Sequence, residues 1–131
     1  MGYRSQVVLA LSKEVTPHFL TFMAQNKEAR ELIQNCDGGP EANYDGEDSW
    51  LIQWDQIKWY QGYEAIDQIN DFVEALANSD DMVDYGCPSD DQTDWNEHFK
   101  FVRLGEEYGD IRCDGEGFWD IYPQTSIHIG A

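Results

Sequence analysis

A single α+β domain, built as a two-layer sandwich with two main helices on one face of an antiparallel or mixed sheet, is the fold this sequence predicts. Three observations lead to it. The 131 residues are 41% hydrophobic and 14% aromatic, enough to fill one compact core and short for two domains. Some segments place apolar residues at strand spacing and others at helical spacing. These segments follow one another as β, α, β, α and then two or three β, with no internal repeat and no low-complexity tract.

The elements follow in order. Val7 to Leu11 is an unbroken apolar run, too short for a helix and partly β-branched, which predicts a buried central strand. A helix comes next, with Thr16 as N-cap, Pro17 at the first helical position, and Phe19, Leu20, Phe22, Met23, Ala29, Leu32 and Ile33 at helical spacing as far as Asn35. Residues 37–48, DGGPEANYDGED, hold five acids and no base, and their Gly, Pro and Asn content marks an acidic loop. Ser49 to Tyr60 returns to strand character, with Trp50, Ile52 and Trp54 on one face and Leu51, Ile57 and Trp59 on the other.

The clearest element is a helix from Tyr63 to Ala77, where Ile66, Ile69, Phe72, Val73 and Leu76 fall within roughly 120° of arc. A second acidic loop, 79–97, carries seven acids among Gly, Pro and Ser. HFKFVRL then predicts a strand, GEEYG a turn, DIRC its return strand and TSIHI a last strand, so that the C-terminal third is a meander. This order suggests ferredoxin-like connectivity.

Charge is the best guide to function. The formal net charge is −18, and from Trp59 to Phe99 there are eleven carboxylates without a single Lys or Arg. Direct nucleic-acid binding is excluded as a class, because it depends on Lys and Arg displacing counterions from phosphates. A basic protein surface is the better partner. Glu64, Asp67, Asp71 and Glu74 repeat on the polar face of the second helix with no base three or four residues away. Such like-charge pairs cost a few tenths of a kcal/mol each, where a helix built for stability alone alternates Glu with Lys. The stripe is about 15 Å long, comparable to a few phosphates of one DNA strand. Asp80, Asp81, Asp84, Asp90, Asp91, Asp94 and Glu97 extend the acid. Trp95 and Tyr85, inside that stretch, are candidate solvent-facing aromatics that could anchor an Arg-rich partner.

Chemistry finds weaker footing. Asp37 to Asp48 offers oxygen ligands for calcium, but Ala42 stands where an EF-hand loop needs Gly and Gly39 where it needs an acid. Asp110, Asp114 and Glu116 form a second oxygen-rich group of the same standing. Glu106 and Glu107 would do acid–base work only if their surroundings pushed their pKa values apart. Triads can be assembled on paper from Cys87, His98 and Asp94, or begun from Cys113 and His128, without any motif to support them. No GxSxG, Walker loop, dinucleotide fingerprint or HExxH is present, so the expectation is no catalytic residue, no cofactor and no metal. Cys36, Cys87 and Cys113 make neither an even framework nor a CxxC pair, which suits a reducing cytosol. No apolar stretch reaches the ~18 residues of a membrane span. Arg103 and Arg112, on neighbouring predicted strands, are expected to tie the sheet to nearby carboxylates.

The opening MGYRS and the later FVRLGEEYGDIRCDGEGFWDIY resemble a class of small accessory proteins encoded by tailed phages. The resemblance covers Met1 to Ser5 and Phe101 to Tyr122 and lends no catalytic residues. It implies a phage protein acting in the cytosol of a bacterial host, where acidic DNA mimics serve host takeover and defence evasion. Charge and resemblance together predict an acidic inhibitor that occupies the basic, nucleic-acid-handling groove of a host protein. Two alternatives stand beside it: an assembly or immunity-type partner with an aromatic contact surface, and a divalent-cation-binding protein or small enzyme.

Overall fold

In the computed structural model, which describes residues 4–42, 49–78, 80–107, 109–118, 121–123 and 127–129, β1 (Ser5–Leu11) is the central strand of a five-stranded antiparallel sheet. It pairs with β3 (Trp50–Ile57) on one side and β4 (Phe99–Gly105) on the other. The short β2 (Glu41–Ala42) lies outside β3, and β5 (Ile111–Asp114) outside β4. With helices between β1 and β2 and between β3 and β4, the order β2-β3-β1-β4 is the ferredoxin-like arrangement, with β5 added at one edge.

The apolar run of β1 is explained by its position. Val7, Leu9 and Leu11 face the helices α1 (Thr16–Gln25), α2 (Lys27–Gln34) and α3 (Glu64–Asn78) across the main core. Val8 and Ala10 face the other way, into a smaller cluster with Leu51, Val102 and Ile121. Both faces of the strand are therefore covered, and no polar alternation is needed. In the main core Phe22 stacks on Phe72 with ring centroids 4.6 Å apart, while Tyr85 meets Phe72 edge-on at 4.9 Å.

Four expectations are corrected. The first predicted helix is two, because Asn26 leaves helical geometry at φ −128° and ψ 85°, and both its backbone N–H and its side-chain amide donate to the Phe22 carbonyl. Thr16 does not cap: its hydroxyl accepts from the Trp50 indole at 3.0 Å, fastening the helix start to β3. Ile57 packs on the helix side with Trp50, Ile52 and Trp54, because β3 spends three residues against two of β1 between the pairs Val7–Trp54 and Ser5–Ile57. That extra residue is a β-bulge, and it reverses the alternation. Finally, the last strand does not prolong the meander. β6 (Ile121–Pro123) and β7 (Ile127–Ile129) pair with each other as a separate two-stranded sheet, after residues 115–117 turn back onto the Phe99 backbone.

The acidic segment that follows α3 is folded. Two turns of 3-10 helix, Asp80–Tyr85 and Trp95–His98, set Met82, Tyr85, Cys87 and Trp95 into the main core. No helix among the described residues is long and apolar enough to cross a membrane.

Candidate acidic interaction face

The polar face of α3 exposes Glu64, Asp71 and Glu74 and half-buries Asp67. Two of the four have local duties. Glu64 and Asp67 lie in the first turn, where the helix dipole favours a negative charge by about 0.3–1 kcal/mol. Asp67 also accepts from the backbone N–H of Gly62 at 3.0 Å, closing the entry to the helix. Asp71 and Glu74 sit beyond the reach of both effects. The described ion pairs are Arg103–Asp110 at 2.7 Å, Arg112–Asp114 at 2.6 Å and His98–Glu14 at 3.6 Å, and none includes a stripe residue.

The segment 80–97 extends this face. Asp80 opens the first 3-10 turn, and Asp81 and Asp84 are exposed. Burial, and then Asp71, Asp84 and Asp81, push the Tyr85 phenol up to about 12. Three carboxylates from two elements thus act on one hydroxyl, which joins the stripe to the turn as a single negative field. Asp90 and Asp91 are also exposed and act together on Cys87, whose thiol is pushed up first by burial and then by Asp91. Asp94 caps the second 3-10 turn through the Asn96 N–H at 3.2 Å, and Glu97 is exposed beside it.

The two candidate aromatics are elsewhere. Trp95 is 4% exposed and Tyr85 9%, so neither is a solvent-facing anchor. Trp95 packs between His18 at 5.0 Å and His98 at 5.7 Å. Their apolar bodies are what hold so acidic a segment against the core. Large apolar side chains that do stand out include Tyr63, at the start of α3, and Val83 and Leu20 nearer the acidic turn.

The sequence did not point to Gln68 or His18. The Gln68 amide donates to Glu28 at 3.3 Å and Glu64 at 3.5 Å, and its oxygen accepts from the Ala29 N–H at 3.0 Å. A neutral donor thereby holds two like charges together and carries the acidic face onto α2. His18 donates from Nδ1 to the Tyr85 carbonyl oxygen at 2.9 Å and helps hold Asp91 in its charged form. Polar residues i and i+4 on a helix that meets another helix are the only sequence signal for Gln68.

The paper triads do not assemble. Cys87 meets Asp91 and Trp95, whereas His98 Nδ1 lies 3.0 Å from the Ser12 hydroxyl and Asp94 serves its cap. His128 has its side chain outside the described residues, as does most of the candidate calcium loop, 43–48. At that loop's start, the Asp37 carboxylate already accepts the Asp55 backbone N–H. Of the second oxygen-rich group, Asp110 and Asp114 are taken by Arg103 and Arg112, which tie the sheet edge as expected. Glu106 accepts the Arg4 backbone N–H at 2.8 Å. Among the described residues no group of three or more His, Cys, Asp or Glu is placed to hold a metal ion. No protein-family model, curated protein or solved structure matches the chain.

Proposed function

We propose that this protein is a phage-encoded acidic inhibitor that occupies a basic, nucleic-acid-handling groove of a host defence or takeover target. The observation that carries the reading is the exposure of Asp71 and Glu74, joined to Asp81 and Asp84, with no cationic partner among the described residues. Carboxylates repelling one another on a rigid helix are a cost to the free protein of a few tenths of a kcal/mol per pair. A basic groove turns that cost into attraction, and the same field speeds encounter.

Burial of Trp95 and Tyr85 removes the aromatic anchors expected for an Arg-rich partner and leaves the exposed carboxylates to make the contact. The test is affinity capture of the tagged protein from a nuclease-treated bacterial lysate, washed at low and at high salt. Retention of one DNA- or RNA-handling protein that leaves at high salt is the expected result. A salt-resistant partner of another kind would overturn it, and turnover of a substrate at substoichiometric amounts would favour an enzyme.

A further inference from the structure

Between the two 3-10 turns the acidic segment encloses a hollow. Its volume is about 290 Å³, and its walls include Val83, Cys87, Pro88, Asp91 and Thr93. Pockets for drug-sized ligands run from about 300 to 1,000 Å³, so this one suits a single side chain. Its frame is fixed by backbone bonds: Cys87 N–H to the Met82 carbonyl at 3.2 Å, Gly86 N–H to Val83 at 3.2 Å, and Asp91 N–H to Pro88 at 3.1 Å.

We infer that this pocket receives an arginine side chain of the basic partner. The inference rests on the proposed function and gives the acidic face a discrete receptor. Three properties of the walls select the occupant. Asp91 is the one carboxylate in the lining, and no Lys or Arg lies in the lining or anywhere between Trp59 and Phe99. Thr93 donates to Asp91 Oδ1 from its backbone at 2.7 Å and from its hydroxyl at 2.5 Å, which holds the carboxyl below its ordinary range and so charged at neutral pH. Burial keeps the Cys87 thiol protonated, leaving the pocket with a single negative charge.

Val83, which is 51% exposed, and Pro88 offer apolar surface for an alkyl stem. Ser89 and Gln92 also line the pocket and carry side-chain oxygens, and a guanidinium has five donors to satisfy where an ammonium has three. An anion or an uncharged apolar group would gain little from these walls.

The test uses the whole protein, isotopically labelled, and the probe Nα-acetyl-arginine methylamide, with the citrulline analogue as its neutral isostere. Saturable amide shifts confined to residues 83, 87 and 89–93, with a dissociation constant on the order of millimolar, are the expected result. Binding should weaken at least ~10-fold with citrulline, and equally in Asp91→Asn, which keeps the Oδ1 acceptor for Thr93. Val83→Ala, at an exposed position, should weaken it by ~2–3-fold through the stem contact. Equal shifts with citrulline, shifts that follow α3 instead of 83–93, or full affinity in Asp91→Asn would overturn the pocket. Because no partner is present in this titration, failure here leaves distributed charge mimicry standing, whereas failure of the lysate capture removes the basic partner and leaves only a pocket that binds arginine.

Discussion

The edge formed by β4 and β5 and the face formed by α3 and residues 80–97 are both rich in acid, and they treat it in opposite ways. At the edge, Arg103 and Arg112 are cross-strand partners, and they hold Asp110 and Asp114 at 2.7 Å and 2.6 Å. Arg103 grips Asp110 through both terminal nitrogens, and Arg112 also donates to Asn70 and lies over the Phe101 ring. There, carboxylates are part of the structure. On α3, Asp71 and Glu74 have no cationic partner among the described residues, and Asp71 helps make the Tyr85 phenol resist ionisation. The difference teaches that net charge alone says little about function. What matters is which acids the fold has already neutralised, because only the others are free to attract a partner.

The sharpest break in this comparison comes from the joint between the regions. A Cβ at Gly115 would collide with the Phe99 carbonyl oxygen and lie 2.9 Å from its carbon, and φ is +91°. Gly115→Ala should therefore cost ~3 kcal/mol or more in chemical denaturation. Gly62→Ala, with φ +100° but open space around it, should cost only about 1 kcal/mol.

Next is the pH dependence. Folding raises the Tyr85 pKa, so the native state binds this proton more tightly than the unfolded chain does. The resulting stability is complete below the unfolded value of about 10 and is lost as pH rises towards about 12, on the order of 2 kcal/mol in all. Absorbance at phenolate wavelengths should show a late-titrating tyrosine signal that is lost in Tyr85→Phe. Asp71→Asn should move it to lower pH.

Smaller effects should differ in sign. Arg103→Ala should lose about 1–2 kcal/mol, since it removes the cation held by a half-buried carboxylate. Asp71→Asn and Glu74→Gln should each gain a few tenths of a kcal/mol by removing repulsion. Loss of stability on neutralising Asp71 and Glu74 would mean that these two acids have internal partners, and the contrast between the two regions would fail.

Much of the fold is legible in the sequence where one local pattern decides the outcome. The heptad-like spacing of Ile66, Ile69, Phe72, Val73 and Leu76 gives α3, and the apolar run of β1 gives a strand covered on both sides. Features set by a distant partner are not legible. The bulge in β3 exists only against β1, and Thr16 leaves its capping role for an indole on another strand. Charge density likewise hid the burial of Met82, Tyr85 and Trp95, which lie among Asp80, Asp81, Asp84, Asp94 and Glu97 in the sequence. The acidic stripe itself was legible, since helical spacing fixes its alignment. The pocket at 83–93 was not, because turns create it, although Asp91 two residues before Thr93 is the pattern of a side chain that braces its own loop.

The most direct measurement is competition between this protein and nucleic acid for the captured host protein, across a salt series, with wild type and a variant carrying Glu64→Gln, Asp67→Asn, Asp71→Asn and Glu74→Gln. Wild type should displace nucleic acid at low salt, lose at least ~100-fold in affinity between about 0.05 M and 0.5 M salt, and lose most of that salt dependence, with its affinity, in the variant. Equal affinity and equal salt dependence for the two proteins, each shown to be folded, would contradict the role of the α3 face.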